Sequence, residues 1–114
     1  MSNSVAQWQI VTKDPDKLAN FYGKLFGWKI TTNNSLGYRE VDGGGIRGGI
    51  WPSPAEGHNF VQLFISVDDL ERSVKNAAGL GAKVIVPPTA LPDGDSIAIL
   101  HDPAGIPFAM MKSR

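Results

Sequence analysis

The side chains in this sequence that could do chemistry are few. They are the imidazoles His58 and His101, the guanidinium Arg47 on a glycine-rich stretch, the carboxylate Glu40, and the chain's glutamines Gln7, Gln9 and Gln62. His58 lies in a Pro- and Gly-containing segment and reads as solvated. His101 ends an apolar run beside Asp102-Pro103 and reads as structural, so the two do not form a pair on one helix. Serines occur without a G-x-S-x-G elbow or a credible Asp and His order, which leaves nucleophilic hydrolysis without support. The run from Gly43 to Gly49 lacks the Lys and Ser/Thr of a phosphate loop and reads as a hairpin. Arg47 could pair with an anionic ligand or point into water. The absence of cysteine excludes disulfides, thiol nucleophiles and cysteine-bound zinc or iron–sulfur centres.

These residues must be positioned by short elements, because 13 Gly and 8 Pro in 114 residues are too many for a helical bundle. Gln7 to Thr12 alternates, with Gln7, Gln9 and Val11 on one face and Trp8, Ile10 and Thr12 on the other, as a half-buried strand does. Asp14-Pro15 offers a cap and a first-turn proline. Leu18, Phe21, Tyr22 and Leu25 then recur at helical spacing until Gly27, predicting a helix from Pro15 to Phe26. Core packing accounts for Phe21, Tyr22, Phe26 and Trp28. Strands are expected at Trp28 to Thr32, Tyr38 to Asp42 and Ile46 to Trp51, with turn chemistry at Asn33-Asn34 and at Gly43 to Gly45.

After a linker over 52–58 the order restarts: a strand from Phe60 to Val67, then a helix from Asp68 to Leu80 capped by Asp68 or Asp69. Strands follow at Val84 to Val86, Ile97 to His101 and Phe108 to Met111, with a long loop from Pro87 to Gly94. Asp14, Gly27 and Lys29 fall on Asp68, Gly81 and Lys83, and Gly45-Ile46 on Gly105-Ile106. The chain therefore reads as one domain over 1–114 of two β-α-β-β-β modules, about 5–51 and about 59–112.

Composition narrows the partners. With 42% hydrophobic residues the chain can bury a core. Eleven basic residues balance eleven acidic ones, which removes the usual electrostatic driver for nucleic acid or anionic membranes. Charged residues make up only 19%, compatible with a face covered by a second copy, and a homodimer is expected. Met1 to Gln9 lacks a signal-peptide pattern and no apolar stretch approaches bilayer length, so the expected location is the cytoplasm.

Asp14-Pro15, Phe21-Tyr22, Phe26-Gly27-Trp28, Val67-Asp68-Asp69, Gly79-Leu80-Gly81-Ala82 and Asp102-Pro103-Ala104-Gly105 come in an order and spacing that resemble the vicinal oxygen chelate superfamily. This is the glyoxalase, bleomycin-resistance and dioxygenase family. The resemblance implies an α+β fold in which two βαβββ modules form an open eight-stranded barrel with two helices outside, around a central cavity. It implies functions that range from lyases and iron dioxygenases to drug sequestration without chemistry. It also implies metal-ligand positions at Gln7, Gly49, Gln62 and Ala109. Two of these carry no donor and two carry neutral amides, so no metal and no cofactor are expected.

On that fold the strand alternation turns Gln7, Gln9, Arg47, Trp51, Gln62, Phe64 and Met111 toward the cavity, as a wall for a small apolar or aromatic ligand. The same side chains could instead fill the barrel as core, leaving a non-catalytic interaction module. The enzymatic alternative is a lyase or dioxygenase, or a metal-free enzyme using Glu40 or Arg47.

Overall fold

The computed structural model describes residues 3–32, 39–53, 59–92 and 94–112. The described residues form β1 (Ser4–Thr12), α1 (Pro15–Phe26), β2 (Lys29–Thr31), β3 (Arg39–Asp42), β4 (Arg47–Pro52), β5 (Phe60–Ser66), α2 (Leu70–Gly79), β6 (Lys83–Ala90), β7 (Ser96–His101) and β8 (Pro107–Lys112). This is the expected α+β class with β-α-β-β-β twice over. The eight strands belong to one mixed sheet in the order β2-β3-β4-β1-β5-β8-β7-β6, whose hydrogen bonding does not close on itself. The first strand of each module pairs in parallel with its fourth, β1 with β4 and β5 with β8, and the remaining pairs within each module are antiparallel. The expected turn at Asn33-Asn34, the residue Tyr38, and most of the linker with His58 lie outside the described residues.

Helix α1 has the boundaries that the spacing predicts, but Asp14 does not cap it with its side chain. The Asp14 N–H instead donates to Thr12 Oγ1 at 3.1 Å, and that hydroxyl donates to Asn59 Oδ1 at 2.9 Å, tying the end of β1 to the entry of β5. At the other end Gly27 takes the left-handed conformation, φ 71°, and its N–H closes on the Gly23 carbonyl at 2.9 Å. Helix α2 is capped by Asp69, whose carboxylate accepts from the Arg72 N–H at 3.0 Å, an arrangement worth about 1 kcal/mol. Strand β6 runs through Pro87 and Pro88, where the sequence predicts a loop. It is an edge strand, its register to β7 shifts between Val84 and Val86 and again between Val86 and Thr89, and prolines are tolerated where ladder donors are not needed.

The chain divides into two compact units, Gln7–Gln62 and Met1–Ala6 with Leu63–Arg114. In the second of these, one face of β5, β7 and β8 packs on α2. Val67, Leu70, Val74, Ala98, Leu100 and Met110 form its buried core. Burial of such apolar side chains contributes about 1.5–3 kcal/mol each and dominates this unit's stability.

In the unit Gln7–Gln62 the helix side is built differently. Trp8 and Trp28 approach at 5.6 Å between ring centroids, and Phe26 and Tyr22 join Trp28 at 5.1 and 5.6 Å. The two indoles occupy the volume expected of the helix's own phenylalanines. Phe21 and Phe26 are consequently 55% and 57% exposed, against the expectation that they are core; Leu25 is 57% exposed as well, and α1 has no buried residue. Arg39 on β3 reaches Asp16 of α1 at 3.0 Å from Nε and 2.5 Å from Nη2. Asp16 is mostly exposed, so the pair adds little beyond orientation.

Trp8 stands opposite Gly48 in the β1–β4 register, and a Cβ placed on Gly48 would lie inside the Trp8 ring. Only a residue without a side chain lets the indole cover β4. Gly48→Ala is therefore expected to cost about 1–3 kcal/mol through overpacking, whereas Gly45→Ala, where the added carbon meets nothing within 4 Å, should stay within about 0.5 kcal/mol. Urea denaturation of the two variants checks this.

Candidate functional site

Strand register sorts the expected site residues of the unit Gln7–Gln62 onto one face. Gln7 stands opposite Arg47, Gln9 opposite Gly49 and Val11 opposite Trp51, while Glu40 on β3 stands opposite Gly49 and Thr31 on β2 opposite Glu40. Directly paired residues share a face, so Gln9, Gly49, Glu40 and Thr31 form one row across four strands, with Gln7 and Arg47 in a neighbouring row. The opposite face carries Trp8, Ile10, Gly48, Ile50 and Val41. The alternation expected for Gln7 to Thr12 thus holds.

The centre of this face is an amide pair. Gln62 Nε2 donates to Gln9 Oε1 at 2.8 Å, with Gln62 3% and Gln9 7% exposed. Gln62 Oε1 is buried and has no hydrogen-bond partner among the described residues. A buried carbonyl oxygen without a donor costs about 1–3 kcal/mol, so stability alone does not favour a glutamine here. Gln62 meets Gln9 rather than Gln7; Gln7 is half-buried beside the exposed Arg47. Trp51 is half-buried, and Glu40 projects from the same face and is exposed.

Phe64 and Met111 belong to the other unit. Phe64 is buried opposite Ala109, and Met111 is half-buried opposite Ser66 on β5 and Ile97 on β7. A groove of about 690 Å³ in that unit is lined by residues including Asp69, Arg72, Lys75, Pro88, Ser96 and Lys112, and by none of the residues expected to bind ligand. Its open, mixed-charge lining is that of a surface cleft beside α2 rather than a recognition site. His101 ends β7, and the turn after it is organised by Asp102, whose Oδ1 accepts from the N–H groups of Ala104 and Ile106 at 2.9 and 3.0 Å.

The donor set does not fit a divalent metal. Of the four positions that the resemblance implies for metal ligands, Gly49 and Ala109 have no side-chain donor, Gln7 and Gln62 are neutral amides, and the Gln62 amide is already bonded to Gln9. No group of three or more His, Cys, Asp or Glu side chains converges among the described residues. No helix among them is long and apolar enough to cross a membrane. Thr12 and Asn59, whose bond fixes how β5 enters beside β1, escape sequence reading because nothing local marks them as partners.

Several known proteins resemble this chain. The proteins named "Putative glyoxylase CFP32" of Mycobacterium bovis and Mycobacterium tuberculosis are each 30% identical to it over 112 residues, covering 91% of it. The chain spans 42% of their length. Among solved structures, a hypothetical protein of Bacillus halodurans C-125 superposes with a TM-score of 0.74 at 16% identity, covering 100% of this chain and 96% of the other. A methylmalonyl-CoA epimerase of Streptomyces coelicolor, in complex with 2-nitronate-propionyl-CoA, gives 0.68 at 18% identity over 99% and 96% of the two chains. The methylmalonyl-CoA epimerase of Mycobacterium tuberculosis gives 0.68 at 15% over 96% and 87%. At these identities the solved structures speak for the fold. The glyoxalase-like domain family matches residues 7–111, and with the curated relatives this establishes that the chain belongs to the glyoxalase-like family.

Proposed function

We propose that this domain acts in the cytoplasm as a binding protein for a small apolar or aromatic molecule, held by the amide-bearing face of β1, β4 and β5 without a metal. The observation that carries the reading is the buried Gln9–Gln62 pair, with Gln62 Oε1 left unpartnered among the described residues. A purely structural core gains nothing from two glutamines there, because apolar residues of similar size would avoid the desolvation cost. A binding site gains orientation from them, since a few fixed polar groups in an apolar wall set how a ligand lies. Val11 is buried and Trp51 half-buried on this face, supplying that wall.

A double-mutant cycle tests the reading. Gln9→Leu alone leaves Gln62 with neither of its polar ends bonded to Gln9 and is expected to lose about 1–3 kcal/mol. The double variant Gln9→Leu/Gln62→Leu should recover to within about 1 kcal/mol of the parent or exceed it. Retained ligand binding in the double variant, read by titration of aromatic fragments, would sink the proposal.

An enzymatic reading has one observation in its favour. Glu40 lies in the same cross-strand row as Gly49 and Gln9 and is exposed, so a carboxylate is available on the amide-bearing face for moving a proton. Proton transfer at a carbon next to a carbonyl is the chemistry of an epimerase, the activity named for two of the structural neighbours. If this domain catalyses it, methylmalonyl-CoA in deuterium oxide should exchange its α-hydrogen in the presence of the protein, and Glu40→Gln should slow the exchange by about 100-fold or more. No exchange above the protein-free rate removes this reading and leaves the binding one.

The homodimer is proposed on the exposed apolar side of α1. Phe21, Leu25 and Phe26 are each more than half exposed, and the curated relatives are more than twice as long as the stretch they share with this chain, room enough for a second domain. Light scattering at tens of micromolar is expected to give the mass of two chains. Phe21→Lys should reduce it to the mass of one.

A further inference from the structure

We propose that the Gln9–Gln62 pair selects ligands carrying a hydrogen-bond donor next to an acceptor, as a lactam, an imide or another cis-amide edge does, and rejects ligands that offer acceptors only. The inference rests on the ligand-binding reading above and specifies what that ligand must present.

Two primary amides joined by one hydrogen bond leave a defined remainder. Gln62 Nε2 gives one of its two protons to Gln9 Oε1 at 2.8 Å; besides the second N–H and the second lone pair of these two atoms, this leaves the whole Gln62 carbonyl oxygen as an acceptor and the whole Gln9 NH₂ group as a donor. Gln62 Oε1 has no partner among the described residues and its residue is only 3% exposed, so the oxygen cannot turn to bulk water for a proton. Exchanging oxygen and nitrogen in both amides reverses the bond between them, yet the pair still offers one carbonyl and one NH₂. The pattern therefore does not depend on how the amides are oriented. A ligand matches it by giving a proton to the carbonyl and taking one from the NH₂ group.

A carboxylate fails because it has no proton for the carbonyl and sets its lone pairs against it. An N-alkylated lactam fails for the same reason, although its shape and apolar area are nearly unchanged. Discrimination of this kind is steep in a buried site, since the mismatched ligand leaves a protein group unpaired. Gly49, the cross-strand neighbour of Gln9, carries no side chain that could supply the missing proton from β4.

The test compares 2-quinolone, which has a lactam edge on an aromatic body, with N-methyl-2-quinolone and 2-naphthoate, each titrated into the intact protein and followed by protein NMR shifts. Binding of 2-quinolone is expected to be at least about tenfold tighter than that of either analogue. In the double variant Gln9→Leu/Gln62→Leu, shown to be folded by circular dichroism, the ratio should shrink to within about threefold. Equal affinity for 2-quinolone and its N-methyl analogue, with both weakened in the double variant, overturns the donor requirement and leaves the binding site standing. Equal affinities that the double variant does not change place these compounds elsewhere and overturn the ligand-binding reading too. If 2-quinolone does not bind at millimolar concentration, the inference fails and the pair is a structural bond.

Discussion

The parallel pairing of each module's first strand with its fourth fixes which side chains share a face. A parallel pair cannot be joined by a tight turn, so the chain must travel through a helix and two further strands before it returns beside its starting point. In the first module that return brings the Gly48-Gly49 step alongside Trp8-Gln9. One glycine lets an indole lie over the strand on the helix side, and the other leaves the amide of Gln9 with a neighbour that has no side chain. Both faces of the unit follow from this single alignment.

Gln62 stands at one of the four positions where the resemblance implies a metal ligand, by preference a charged or imidazole donor, and it meets Gln9 there instead. Neutral amides cannot replace those donors, but they can satisfy each other in part, and part is what the structure shows: one bond made, one oxygen left over. An ion pair in the same position would carry a far larger desolvation cost. An amide pair keeps polarity inside the fold at a cost that the surrounding apolar packing can offset.

Much of this is legible in the sequence where the signal is local. Pro15 and Gly27 bracket α1, Lys29 and Lys83 open the corresponding strands after Gly27 and Gly81, and strict alternation places Gln7 and Gln9 away from Trp8. The rest depends on distant partners. That Gln62 meets Gln9 and not Gln7 follows from the stagger of strands far apart in the chain, which no local pattern encodes. The exposure of Phe21 and Phe26 is unreadable for a related reason. Helical spacing identifies an apolar stripe, but Trp8 and Trp28 from outside the helix claim the space beneath it. The second half of strand β6 reads as a loop because prolines argue against a central strand, and the sequence does not say which strand lies at the edge.

Those prolines bear on how copies of this protein can meet. An unpaired strand at a sheet margin is a template on which another chain can lay down its own backbone, the route to fibrous aggregation. At one margin Pro87 and Pro88 remove two amide hydrogens and the ladder slips twice; at the other, β2 spans only Lys29–Thr31. Among the described residues, neither rim offers a run of donors and acceptors long enough to template growth. Self-association is thereby steered away from open-ended strand addition and toward side-chain contacts, which can close on themselves at a finite number of copies.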